Sequence, residues 1–235
     1  MAEKANQAER TPPVRLEARE GSPLRRAVGW VLLGVVLVDV AQRVRAWLRP
    51  GPMPARIQPL FLESRLRALT LGPREVLPAL ELAPGMDVLE VGVGTGFLTP
   101  ALAGAVEPGG HLVGLDVQPD HFEEIRWRLE AQGIRNVELV QGDAQSLPFG
   151  DASFDRVVMV TVLGEVPDRR RALAEARRVL RPGGRLCVTE HFADPDFLSP
   201  GCVERAGREV GLVPLGRRGG WFRYTLCFGR GEPDA

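Results

Sequence analysis

The 235-residue chain reads as an α/β protein: a doubly wound, mostly parallel seven-stranded sheet with a C-terminal antiparallel hairpin, preceded by an N-terminal apolar helix. Three observations predict this. From residue 87 onward, short apolar runs alternate with helical patterns over short connections, the signature of strand–helix–strand units. The first of these runs, Asp87 to Val91, leads straight into a glycine-rich turn ending at Gly96. Near the end, two further apolar runs flank residues 216–220, where Gly219 and Gly220 supply a hairpin turn.

Residues 1–26 mix Pro, Glu, Arg, Gln and Ser without period, the composition of a disordered tail. Residues 27–38 are then all apolar or glycine, interrupted at Asp39. As a membrane span, the ten Val and Leu residues between Val28 and Val44 contribute roughly −3 to −6 kcal/mol, while Asp39 costs about +2.5 to +3.5 and Arg43 adds more, so insertion comes out near break-even. A span with the body in the cytosol would also carry six basic residues outward. Alternatively, Trp30, Leu33, Leu37, Val40, Val44, Trp47 and Leu48 recur at helical spacing on one face, so residues 27–48 can lie in a membrane interface or pack on the body of the protein. These readings stay open. A cleavable signal peptide is not expected, because the charged lead is long and no small-x-small site follows Val38.

Pro50, Pro52 and Pro54 with Gly51 end that helix and make a stiff linker over residues 50–55, leaving 56–235 as one domain. Residues 56–82 are helical in pattern, broken at Gly72 and Pro73. Strands follow at 87–91, 111–117, 137–141, 154–160 and 185–190, with helices at 97–106, 119–132 and 167–180. A helix near 202–210 precedes hairpin strands at 212–215 and 221–228.

Thirty basic against thirty acidic residues give no net charge, so a polyanionic partner such as nucleic acid is not indicated. Residues 1–50 carry nine basic and five acidic side chains, an excess better suited to an anionic membrane surface. Cys187, Cys202 and Cys227 are odd in number and lack C-x-x-C spacing, so they read as three small buried hydrophobes in a reducing cytosol, with neither disulfide nor metal site.

The glycine turn carries the chemistry. A dinucleotide fingerprint needs G-x-G-x-x-G, and Phe97 stands where its last glycine would fall; a P-loop needs a Gly-Lys-Ser/Thr that is absent. The chain instead has Glu90, Gly92, Gly94 and Gly96 in the order acid-x-Gly-x-Gly-x-Gly. Asp116 closes the second strand, Gly142-Asp143-Ala144 follows the third, Ser153-Phe154-Asp155 opens the fourth, and residues 178–184 bring an Arg-Pro-Gly-Gly turn before the fifth. In these motifs, over residues 80–192, the chain resembles the class I S-adenosylmethionine (SAM)-dependent methyltransferases, especially the branch of ubiquinone/menaquinone-biosynthesis and small-molecule enzymes. The resemblance implies a Rossmann-like fold and SAM as cofactor. It implies that Asp116 accepts from the ribose hydroxyls, Asp143 from the adenine amino group with Ala144 as neighbouring backbone donor, and that Val117 packs on the adenine. Gly92, Gly94 and Gly96 would wall the methionine part, Thr161 would face it, and Glu90 would orient its ammonium or pin the loop. Asp155, at the start of its strand, reads as structural.

A sulfonium methyl is its own electrophile, so holding an acceptor in line and shielding it from water suffices, and a base is optional. For acceptors that must lose a proton, Glu165, Glu190 and His191 lie where the fourth and fifth strands end, with Glu190-His191 the leading pair. The arginines at 169–171, 177 and 178 line an amphipathic helix and read as a solvated face. After the fourth strand this chain has Val162-Leu-Gly-Glu-Val166 where many of that branch carry histidine, so the acceptor pocket does not transfer. The expected whole is a methyltransferase of a hydrophobic, quinone- or lipid-like acceptor, held at the cytoplasmic side of a membrane by residues 27–48. The alternatives are a soluble cytoplasmic enzyme acting on a polar metabolite and a SAM-binding partner without turnover.

Overall fold

The computed structural model describes residues 71–231 and, ahead of them, Trp30, Leu37, Val40, Ala41, Arg43, Val44, Arg45, Leu48 and residues 50–52. The expectations for residues 1–26, for most of the apolar helix and for 53–70 lie outside the described residues. The chain divides into two units between Val40 and Ala41. In the first, Trp30, Leu37 and Val40 are helical and exposed. Among the described residues no helix is long and apolar enough to cross a membrane.

In the second unit, after helical positions at Ala41, Arg43, Val44, Arg45 and Leu48, the elements are α1 (Pro73–Leu80), β1 (Asp87–Val91), α2 (Thr99–Val106), β2 (His111–Asp116), α3 (Phe122–Ala131), β3 (Val137–Gln141), β4 (Phe154–Val160), α4 (Arg169–Val179), β5 (Leu180–His191), α5 (Pro200–Glu209), β6 (Val213–Gly219) and β7 (Arg223–Gly229). The first, third and fourth strands begin and end where the apolar runs do. β5 starts five residues earlier than expected, because Leu180 already pairs with Phe154 before the register shifts and Arg185 pairs with Arg156.

The seven strands lie in the order β3-β2-β1-β4-β5-β7-β6. β1 to β5 run parallel, and β7 is antiparallel to both its neighbours. The chain winds outward from β1 through β2 to β3, then returns to β4 on the other side of β1. The crevice at this reversal, outside the carboxyl ends of the strands, is where such sheets bind ligands.

Both faces of the sheet are covered, and strand alternation feeds two cores. Leu89, Val91, Val157, Met159, Leu186 and Val188 pack on one side with α4 and α5; Val88, Val158, Cys187 and Cys227 pack on the other with α1 and α2. On that second side Cys187 stands directly opposite Cys227 on β5 and β7, and the two form a disulfide. The expectation of three unbridged cysteines is thereby corrected; only Cys202 is free. A cross-strand register forty residues apart in sequence is invisible to cysteine spacing.

At the amino edge of the sheet, Arg181 reaches Asp155 at 2.6 Å and Asp87 at 2.8 Å, and Asp155 also accepts from the Asp87 backbone N–H. Asp155 ties three strands together, far from the crevice. Among the α4 arginines, Arg170 and Arg171 are exposed as a solvated face would be, but Arg177 and Arg178 are half-buried and act as structural pins. Arg178 bonds Glu175, Asp151 and the carbonyls of Leu147 and Phe149, Arg171 the Gln145 carbonyl, and Arg177 the Arg230 carbonyl.

Candidate functional site

The crevice holds a cleft of about 310 Å³, lined by the β1 loop, the ends of β2 and β4, and the turns after β3 and β4. The β1 loop is shaped by its glycines. Gly92, Gly94 and Gly96 have φ of 76°, 53° and 74°, a region L side chains rarely adopt. A Cβ on Gly92 would collide with Val162, and one on Gly96 would meet Ile125 at 2.7 Å. The Gly92 N–H donates to the Leu115 carbonyl at 2.7 Å and the Gly96 N–H to that of Val93 at 2.8 Å, which fixes a tight turn beside β2.

Two buried carboxyls brace this loop. Asp116 Oδ2 accepts from the Gly94 N–H and Oδ1 from the Gln118 N–H, both at 2.9 Å. Each oxygen keeps lone pairs for a ligand hydroxyl. Glu90 accepts from the Thr99 hydroxyl at 2.7 Å. Burial pushes the Glu90 carboxyl up to about 8, against that hydrogen bond and with a smaller push from Asp116. Glu90 therefore favours its protonated form at neutral pH.

Across the cleft, Asp143 Oδ1 accepts from the Gln145 N–H at 2.8 Å, and the Gln145 amide bonds both carboxylate oxygens. Ala144 lies buried beside it, while Val117 is exposed. Thr161 takes φ 54°, an unfavourable region for a β-branched residue, and its N–H donates to the Thr189 carbonyl at 2.8 Å. Of the nine residues expected around a cofactor, Glu90, Gly92, Gly94, Asp116, Val117, Asp143, Ala144 and Thr161 line this crevice, whereas Gly96 does not and closes the turn behind it.

The three candidate bases separate. Glu165 lines the cleft. Glu190 is 1% exposed and lies behind it, in a small recess that shares Thr161, Glu165 and Asp194 with the cleft. Its Oε2 accepts from the Leu198 N–H at 3.3 Å, while its buried Oε1 has no hydrogen-bond partner among the described residues. Burial pushes the Glu190 carboxyl up to about 8, opposed by the Leu198 bond and helped by Asp194. His191 borders neither cavity; its ring packs edge-on against Phe222 at 4.8 Å. The structure does not bring Glu190 and His191 together, because neighbours on a strand point to opposite faces.

Val162 and Val166, from the segment after the fourth strand that departs from the family pattern, also line the cleft, and Pro52, Leu71, Pro167 and Asp194, which carry no motif, escape sequence reasoning. Leu71, Val162, Val166 and the two prolines add apolar surface to the lining, and Asp194 adds a carboxyl. Among the described residues no cluster suited to a metal ion occurs.

Comparison with known proteins agrees with this geometry. The family described as a methyltransferase domain matches residues 88–184. A demethylmenaquinone methyltransferase of Bacillus cereus is 38% identical over 117 residues, 50% of this chain and 49% of that protein. An uncharacterised 37.1 kDa protein of a Streptomyces fradiae transposon is 44% identical over 115 residues, 49% of this chain and 33% of its own. The match thus spans half or less of these curated relatives. The crystal structure of a SAM-dependent methyltransferase from Aquifex aeolicus superposes with a TM-score of 0.69 at 22% identity, covering 75% of this chain and 98% of that one, a likeness of fold.

Proposed function

We propose that this chain, whose residues 88–184 match a methyltransferase-domain family, is a class I S-adenosylmethionine-dependent methyltransferase that transfers the methyl group of SAM to a hydrophobic, quinone- or lipid-like acceptor at a membrane. The observation that carries this reading is a cleft lined both by the carboxyls of Glu90, Asp116 and Asp143 and by the apolar side chains of Leu71, Val162 and Val166. The demethylmenaquinone methyltransferase relative supports a quinone-like acceptor.

The residues present fit the cofactor. Gly92 and Gly94 line the cleft with bare backbone in a turn conformation that L side chains rarely adopt, Asp116 keeps lone pairs for a ligand, and burial holds the Glu90 carboxyl up at about 8, where a neighbouring cation would favour its ionised form. Glu90 would hold the ammonium, Asp116 the ribose hydroxyls, and Asp143 with the Ala144 backbone the adenine, with Val117 packed against its ring. When bound, SAM supplies an electrophilic methyl group. The chain's own work is then to bring the acceptor into line against the Val162–Val166 wall and to exclude water. For an acceptor that must release a proton, Glu165 is the base within the cleft. Glu190 holds a proton behind it at neutral pH.

Transfer of radiolabelled methyl from SAM into a total cell extract, followed by phase partition, tests the reading. Label in the organic phase is expected. Label confined to the aqueous phase would favour a polar metabolite and remove the membrane from the reaction. No label above a heat-killed control would leave a SAM-binding protein without turnover.

A further inference from the structure

The β6–β7 hairpin ends at the same edge of the sheet as the cleft. β7 runs antiparallel to β5, so its first residues stand beside the last residues of β5: Glu190 pairs with Tyr224 and His191 with Arg223. One step further the Phe192 N–H donates to the Phe222 carbonyl at 2.7 Å, which locks the hairpin tip to the β5 exit. Three large aromatics gather there in the open. Trp221 is 70%, Phe222 44% and Phe192 39% exposed, and Phe192 stacks edge-on against Trp221 at 5.3 Å. Rings this exposed forgo much of the stabilisation that burial would give them, the mark of a surface that meets a partner.

The exposed charges on the hairpin tip itself are basic. Arg217 and Arg218, on the β6 limb of the tip, are exposed and bond no carboxylate among the described residues. Arg43 lays its guanidinium over the Phe192 ring at 4.9 Å and donates to the carbonyls of Phe192 and Asp194. Arg223, at the base of the tip, is neutralised by Glu75 at 2.7 Å. Asp194 lines the cleft, so the aromatic knot and the cleft mouth share one rim.

We infer that the Trp221–Phe222 hairpin tip, flanked by Arg217 and Arg218, docks the domain onto an anionic phospholipid surface with the cleft mouth at headgroup level. Exposed Trp and Phe beside unpaired arginines match that boundary on both counts: the rings suit the depth of the glycerol region, and the guanidinium groups meet lipid phosphates. A neutral chain offers no extended basic field for nucleic acid. Docking here brings an acceptor dissolved in the bilayer to the apolar wall of the cleft. The inference is independent of turnover, so its failure and that of the methyl-transfer reading are read separately.

The test uses the full chain with Trp30, Trp47 and Trp127 changed to phenylalanine, leaving Trp221 as the single tryptophan. Vesicles of phosphatidylglycerol and acyl-brominated phosphatidylcholine are expected to quench its fluorescence, and vesicles without phosphatidylglycerol to quench it far less. In the native background, Arg217→Glu with Arg218→Glu is expected to weaken partition onto anionic vesicles about tenfold or more, with SAM affinity unchanged as the sign of an intact fold. Unquenched Trp221 on vesicles that do bind the protein would overturn the inference by assigning binding to another segment. A concentration-dependent dimer in light scattering that Trp221→Ser returns to monomer, again without quenching, would overturn it in favour of a second copy of the chain.

Discussion

Asp116 engages both carboxylate oxygens before any ligand arrives, one on the Gly94 N–H and one on the Gln118 N–H. Its loss removes a ligand acceptor and also frees the glycine loop. Asp116→Ala is therefore expected to weaken SAM binding by about 10- to 100-fold, the worth of a hydrogen bond to a charged group, in isothermal calorimetry. Glu90 offers a different signature. With its carboxyl at about 8, it is protonated at pH 7, and an ammonium beside it favours the ionised form. SAM binding at pH 7 should release close to one proton, seen as a binding enthalpy that varies with buffer ionisation enthalpy. Glu90→Gln should abolish that dependence; an unchanged buffer dependence would show that Glu90 does not meet the ammonium.

The elements meet through small residues as much as large ones. α5 lies on β7 at Gly207, where an added Cβ would stand 2.5 Å from the Phe228 ring. Both partners are buried, so neither can yield cheaply. Gly207→Ala is expected to cost about 1–3 kcal/mol in chemical denaturation while leaving SAM affinity unchanged, because the overpacked contact lies away from the cleft. An effect near zero would mean that the helix can slide on the sheet. The covalent tie between β5 and β7 lies on the opposite face of the same pair of strands, at Cys187 and Cys227. The hairpin is thus held from both sides of the sheet, which suits a tip that must present its side chains at a fixed height above the cleft edge.

At the scale of the whole molecule, two buried carboxyls set a pH dependence of stability. Glu90 and Glu190 both sit at about 8 in the folded chain against 4.5 as the ordinary value, so between those limits the folded state binds protons that the unfolded state has lost. Stability contributed by these groups is present below pH 4.5 and falls as pH rises toward 8, by at most about 1.4 kcal/mol per pH unit for each group. Denaturant unfolding from pH 5 to 8 should show a shallower decline in the Glu90→Gln and Glu190→Gln variants than in the native chain; parallel curves would refute the assignment. Much of the architecture was legible without coordinates. Apolar runs of strand length, the acid-and-glycine motif at Glu90 to Gly96 and the acids Asp116 and Asp143 located the sheet, the crevice and its cofactor wall, because each is a pattern among residues close in sequence. Tertiary structure alone decided the rest: that Cys187 faces Cys227, that Glu190 looks toward the recess while His191 turns to Phe222, and that Arg178 pins a loop where a solvated helix face was expected. Those facts depend on which residues of distant strands fall opposite one another and on which face of a strand each side chain takes, and neither is encoded in the local spacing of a single segment.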